Sequence, residues 1–220
     1  MAMNVAIDGP AGAGKSTIAK AIAKKMGYVY VDTGAMYRAM ALYFLRSGIE
    51  SNDEAKIAAS VDDIVVSIKY EDGAQHVILN GEDVTGLIRT EEVGNMASAT
   101  SVFAPVRTKL VALQQELAKT TDVIMDGRDI GTVVLPNANV KVFLTASVEC
   151  RAKRRYDELV AKGETPDFDK IAKDIEERDY RDSHREISPL KQAEDAILVD
   201  SSNMTIDEVV DTIINLCEGK

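Results

Sequence analysis

Cysteine is scarce in this 220-residue chain: there are only Cys150 and Cys217, far apart and with no C-x-x-C or Cys/His spacing. That excludes a disulfide scaffold and a finger-type zinc site, and both thiols are expected as reduced packing residues. Long apolar runs are lacking too. Nothing approaches the ~20 consecutive apolar residues of a membrane span, so no membrane partner is expected. Positive charge is in deficit, with 26 basic residues against 36 acidic ones and a net charge of −10. This argues against general binding to nucleic acid or anionic lipid, and it means that any cationic site must be a local concentration. No N-K-x-D segment of the kind that reads guanine occurs, which speaks against a GTP switch. The opening Met-Ala-Met-Asn runs straight into an apolar strand and leaves no room for a signal peptide, so a cytoplasmic protein is expected. There is no internal repeat or low-complexity linker, and 45% apolar residues suffice for a sizeable core.

What the chain does have, at its front, is Gly9-Pro10-Ala11-Gly12-Ala13-Gly14-Lys15-Ser16, which fits G-x-x-x-x-G-K-[ST] at every fixed position. Val5-Ala6-Ile7-Asp8 before it reads as a buried strand. After it, Ile18, Ile22 and Met26 recur at helical spacing up to a capping Gly27. Between such a strand and helix the glycines let several backbone N–H groups converge on one anion, and the helix N-terminus adds its dipole. Lys15 can then reach the outer phosphates and Ser16 can hold Mg²⁺.

Further strands are expected at Tyr28–Asp32, Val123–Asp126, Val140–Leu144 and Ala196–Asp200, alternating with helices. This is the pattern of a parallel α/β sheet whose ligands gather at the carboxyl ends of the strands. Between them, Ile64–Tyr70, Val77–Leu79 and the segment around Val84 are separated by the hairpin signals Asp72-Gly73 and Asn80-Gly81. An antiparallel meander does not belong in a parallel sheet, so residues 62–100 are expected as an insertion. Thr90 can cap the following helix and Pro105 can open a longer one, while Thr205-Ile206-Asp207-Glu208 has the form of a capping box for a closing helix that buries Ile206, Val209, Val210, Ile213, Ile214 and Cys217.

Cationic charge concentrates at Arg151, Arg154, Arg155, Arg178, Arg181 and Arg185. Lys153, Arg154 and Arg155 are expected as solvated, ion-paired surface, whereas Arg178 and Arg185 suit phosphate, because guanidinium forks match it and the helices bracket a Gly-Pro-containing turn that could act as a lid. Asp126 ends an apolar strand in the manner of a carboxylate that positions Mg²⁺, or of a turn former before Gly127. His76 and His184 are given no catalytic role.

The strings Ile7–Thr17, Asp32-Thr33-Gly34-Ala35-Met36-Tyr37-Arg38, Asp126–Val134 and Arg178-Asp179-Tyr180-Arg181-Asp182 closely resemble the bacterial cytidylate kinase family, and the likeness runs from the first strand to the last helix. The resemblance implies an α/β P-loop nucleoside monophosphate kinase fold: a five-stranded parallel core sheet with flanking helices (1–61, 101–150 and 190–220), an inserted antiparallel β-containing monophosphate-binding lobe (62–100) and a helical lid (151–189). It implies Mg²⁺-dependent transfer from ATP to CMP or dCMP by a monomeric enzyme, with other monophosphates (UMP, AMP, dTMP) or a non-catalytic ATP-binding module as rival readings. ATP phosphates would be held by Gly9, Pro10, Ala11, Gly12, Ala13, Gly14, Lys15, Ser16 and Thr17, and Mg²⁺ by Ser16 and Asp126. Thr33, Arg38, Ser98, Arg107, Arg128, Asp129, Arg178, Asp182 and Arg185 fall where the family binds the monophosphate. Lys15, Arg128, Arg178 and Arg185 would act in catalysis.

Overall fold

The computed structural model describes residues 2–71 and 74–219. Contacts gather into two compact units, one formed by residues up to Tyr30 together with those from Thr121 onward, the other by Val31–Thr120.

A sheet in the order β2-β6-β1-β7-β8, with β1 (Asn4–Asp8), β2 (Val29–Asp32), β6 (Val123–Gly127), β7 (Val140–Thr145) and β8 (Ile197–Asp200), belongs to the first unit in all but the last two residues of β2. β1 runs parallel to both β6 and β7, and β7 parallel to β8. Central strands buried on both faces are continuous apolar runs, so Val5, Ala6, Ile7, Ile124 and Met125 are fully buried. α1 (Lys15–Met26) and α8 (Ile206–Glu218) pack together on this sheet through Ile18, Ile22, Val209, Val210 and Ile213. Each fully buried aliphatic contributes about 1.5–3 kcal/mol. The capping box expected at Thr205 and Glu208 is present.

One expectation needs correcting here. Ile206 is 55% exposed rather than buried, because it is the first residue of α8, ahead of the stripe that begins at Val209. β8 is an edge strand, so Val199 is buried while Ile197 and Leu198 remain largely exposed. α6 (Val148–Ala161), capped by Ser147, and α7 (Phe168–His184), capped by Asp167, pack on each other.

In the second unit, β3 (Val66–Glu71), β4 (Ala74–Leu79) and β5 (Glu82–Asp83) form the expected antiparallel meander. Asn80 and Gly81 both have positive φ (48° and 89°), which is the twist that a two-residue hairpin needs. The other hairpin signal, Asp72-Gly73, lies outside the described residues. Val77 and Leu79 lie on one face of β4 and Ile78 on the other, and all three are buried, so the strand needs cover. α2 (Thr33–Arg46) packs on β4 and on α4 (Glu91–Thr100), and α5 (Ala104–Thr120) on α2 and α3 (Glu54–Ser60). The unit therefore takes in more chain than the stretch 62–100. No helix among the described residues is long and apolar enough to cross a membrane.

Candidate active site

At the end of β1 the chain turns sharply into the glycine loop. Gly9 has φ +152°, and a Cβ there would lie 1.9 Å from the Leu144 carbonyl oxygen, so no other residue fits. Gly14, at φ +89°, delivers the chain into α1. Lys15, the first residue of that helix, is buried, and its Nζ donates to the Pro10 carbonyl at 2.7 Å, bridging the loop from within. Burial and then the nearby Arg128 charge lower its pKa to about 7 against the opposing pull of Asp126 and Asp8. An ammonium held this far down is poised to gain from an arriving polyanion.

Ser16 Oγ donates to Asp126 Oδ2 at 2.8 Å, joining the start of α1 to the end of β6, and Tyr30 donates its hydroxyl to Asp126 Oδ1 at 2.9 Å. Asp126 is thus a buried acceptor beside the glycine loop rather than merely a turn former. Among the described residues no group of three His, Cys, Asp or Glu side chains is gathered as a metal cage. Mg²⁺ bound beside phosphates keeps most of its own water and takes only one or two protein oxygens, and the adjacent hydroxyl and carboxylate of Ser16 and Asp126 suit that donor set.

Beyond β6, Arg128 Nε pairs with Asp182 Oδ2 at 2.7 Å, linking the loop after β6 to α7. Burial of Asp182 favours its neutral form, but Arg128, then Arg178 and Arg185, outweigh it and hold the carboxyl below its ordinary range. Arg185 Nη2 lies 4.0 Å from Asp129 Oδ1, both side chains buried, and Arg185 Nε donates to the Ser188 carbonyl at 2.6 Å. Arg128, Asp129, Arg178, Asp182 and Arg185 are therefore gathered in one charged array. The segment Ile130–Val134 is a π-helical turn.

Lys153 pairs with Asp157 and Arg155 with Glu158 at the surface, as expected of solvated ion pairs. Arg154 departs from that expectation. Its guanidinium donates to the Ala13 and Ser201 carbonyls at 3.4 and 2.9 Å, so it braces the glycine loop. Arg151, 4% exposed, donates to Ala11 O at 3.1 Å and pairs with Asp179 at 2.6 Å. Arg154→Ala is expected to cost about 1 kcal/mol in a urea melt for its charge-assisted bonds, and Lys153→Ala less than about 0.5 kcal/mol.

The second unit carries the remaining candidates. Thr33 is buried at the start of α2, capped by Asp32. Arg38 donates to the Ile88 and Thr90 carbonyls at 3.2 and 3.4 Å. Arg107 is buried on α5, donates to Ser101 O at 3.4 Å and lies over the Tyr37 ring, while Ser98 is half-buried on α4.

Sequence reasoning missed Asp8, Tyr30 and the Asp32–Arg89 pair. Asp8 carried a signal, an ionisable residue ending an otherwise apolar buried strand. Tyr30 carried none, since a tyrosine in a strand is ordinary core composition. Asp32 accepts from Arg89 at 2.5 Å and from the Ala35 amide, a contact 57 residues away in the chain that no local pattern announces.

A parallel sheet, a glycine loop opening α1, a buried loop lysine and a hydroxyl–carboxylate pair at the next strand define a kinase of the phosphate-loop fold. The fold is similar to that of the crystal structure of shikimate kinase from Bacteroides thetaiotaomicron, at a TM-score of 0.52 and 14% identity over 98% of both chains. Residues 5–219 match the model of the cytidylate kinase family, and the chain belongs to that family. A cytidylate kinase of Leuconostoc mesenteroides is 56% identical over 98% of this chain and 96% of its own length, and one of Caldicellulosiruptor saccharolyticus is 54% identical over 97% and 95%.

Proposed function

We propose that the protein transfers the γ-phosphoryl group of ATP to CMP or dCMP, giving ADP and CDP or dCDP. Membership of the cytidylate kinase family carries this reading. The array of Arg128, Asp129, Asp182 and Arg185 in the same unit as the glycine loop supports it, because a kinase of monophosphates needs fixed cationic charge in addition to the donor's phosphate site.

The acceptor's α-phosphate oxygen attacks the γ-phosphorus in line, and the bond from that phosphorus to the β–γ bridging oxygen breaks, leaving ADP. A phosphate monoester with its second pKa near ~6 is already ionised at neutral pH, so no side chain needs to remove a proton. The glycine-loop amides from Gly9 to Thr17 cradle the donor phosphates, and Lys15 exchanges the Pro10 carbonyl for phosphate oxygens. Ser16 and Asp126 would hold Mg²⁺, which would supply charge neutralisation for the donor phosphates. Arg128, Arg178 and Arg185 offset the acceptor's charge and the charge that shifts during transfer, while Asp182 keeps Arg128 in orientation. Thr33, Arg38, Ser98 and Arg107 serve the monophosphate and its base, residues 62–100 form the monophosphate lobe, and 151–189 act as a lid that excludes water. The enzyme works as a cytoplasmic monomer without nucleic-acid partners.

ADP release measured with CMP, dCMP, UMP, AMP and dTMP in turn tests the reading. CMP- and dCMP-dependent turnover is expected, and equal ADP release with no monophosphate present would overturn it. Base choice gives a sharper prediction. Cytosine offers an N4 amino donor where uracil offers an O4 acceptor, so Asp129 would accept from the one and repel the other. An amide at this position serves either base by rotation. Asp129→Asn is therefore expected to reduce the CMP-to-UMP ratio of kcat/KM by about 1.5–3 kcal/mol, read from steady-state kinetics on both substrates.

A further inference from the structure

Asp8 is a buried ionisable group that the mechanism above leaves without a task. It ends β1, immediately before Gly9, and is 4% exposed. Its two oxygens do different jobs: Oδ1 accepts from the Ile130 amide at 2.8 Å and Oδ2 from the Gly131 amide at 2.7 Å. These are the first N–H groups of the π-helical turn Ile130–Val134. The first amides of a helical turn lack partners within the turn, and the residue just before it ordinarily caps them with its own side chain. Here that residue is Asp129, which makes no side-chain cap bond. Asp8 caps the turn from 122 residues away, and the Asp129 carboxylate is turned instead towards Arg185.

We propose that Asp8 is a positioning residue: by capping Ile130 and Gly131 in place of Asp129, it fixes the loop that carries Arg128 and Asp129 and commits the Asp129 carboxylate to the acceptor base. The inference rests on the role given to Asp129 above. Two further observations fit it. A Cβ on Gly131 would meet Lys141 Cδ at 3.2 Å and Asp8 Oδ2 at 3.4 Å, so the turn lies close against the Asp8 carboxylate with little space to spare. Fold stability does not account for the carboxylate. Burial raises the Asp8 pKa to about 6 despite the two amide bonds, with Asp129 adding to the rise and Lys15 opposing it. A carboxyl raised in the folded state loses stability as the pH climbs from its unfolded value through about 6, so at neutral pH the ionised Asp8 is a net cost to folding.

Asp8→Asn is the direct test. Asparagine keeps one acceptor but sets its amide hydrogens against the second N–H. Four quantities are compared with the wild type: kcat with saturating CMP, the CMP-to-UMP ratio of kcat/KM, the Kd for ADP, and hydrogen exchange at the Ile130 and Gly131 amides. Expected are a fall in kcat of about 10–100-fold, a base ratio falling towards that of Asp129→Asn, exchange at the two amides faster by about tenfold or more, and an ADP Kd within about threefold. Unchanged exchange, or an unchanged base ratio with faster exchange, would overturn the inference. So would a loss of ADP binding in proportion to kcat, which would place Asp8 in the glycine loop instead. Should Asp8→Asn fail to fold, Gly131→Ala crowds the Asp8 and Lys141 side chains beside the same amides and is expected to speed their exchange and lower the base ratio likewise, whereas faster exchange with a wild-type ratio would overturn the inference. Absence of CMP-dependent turnover in the wild type would instead defeat the functional reading, and amide exchange would still decide whether the clamp exists.

Discussion

Lys15→Ala is expected to lower kcat by on the order of 10³-fold or more at saturating ATP and CMP, about 4 kcal/mol of transition-state stabilisation, while the folded state becomes no less stable at neutral pH. The two halves of this expectation have one cause. Lys15 is buried, its ammonium satisfied by the Pro10 carbonyl, and burial with the Arg128 charge brings its pKa down to about 7. For a group whose folded pKa lies below its unfolded value of 10.5, the unfolded chain binds more protons throughout the interval between them. Wild-type stability should therefore rise with pH from about 7 to about 10, and the Lys15→Ala protein should lack that rise. Thermal melts across this range measure the second half and steady-state kinetics the first. A mutant that kept near-normal kcat would remove Lys15 from the chemistry.

Arg128→Ala is expected to reduce kcat/KM for the monophosphate by about 10²–10³-fold and to destabilise the fold by about 3 kcal/mol, as breaking a largely buried ion pair does. Its Nε bonds Asp182 at 2.7 Å, and Arg128 is the first of the three cations that overcome the effect of burial on that carboxyl. The pH dependence follows from the sign. Asp182 is depressed in the folded state, so its contribution is present above its unfolded value of 3.8 and is lost as pH falls through the lower folded value. Without Arg128 the folded pKa rises, and acid unfolding should begin at higher pH than in the wild type. A kinetic loss without that shift would mean that Asp182 relies on Arg178 and Arg185 instead.

The sequence by itself determined those features whose cause lies within one short segment. The glycine loop and α1 could be read because a turn, a lysine and a helix start are all specified by adjacent residues, and the Thr205 capping box and the Asn80-Gly81 hairpin for the same reason. The parallel sheet followed from alternating apolar strands and helices, although sheet order and the edge position of β8 did not, since Ile197, Leu198 and Val199 look alike in sequence and only Val199 is covered. The candidate residues were legible as types, Arg128, Asp129, Arg178, Asp182 and Arg185 among them. What each one faces was not.

Tertiary structure alone decided the partners. Ser16 meets Asp126 across 110 residues, Arg128 meets Asp182 across 54, and Arg154 turns from a presumed surface charge into a brace on Ala13. The physical reason is common to all three. A buried polar group must find a partner or forfeit its hydration, and which partner lies within reach depends on which strands are neighbours, a choice fixed by packing over the whole chain rather than by any local pattern. Asp8 carries this furthest: the sequence shows a carboxylate ending a strand, and the fold makes it the cap of a turn 122 residues further along the chain.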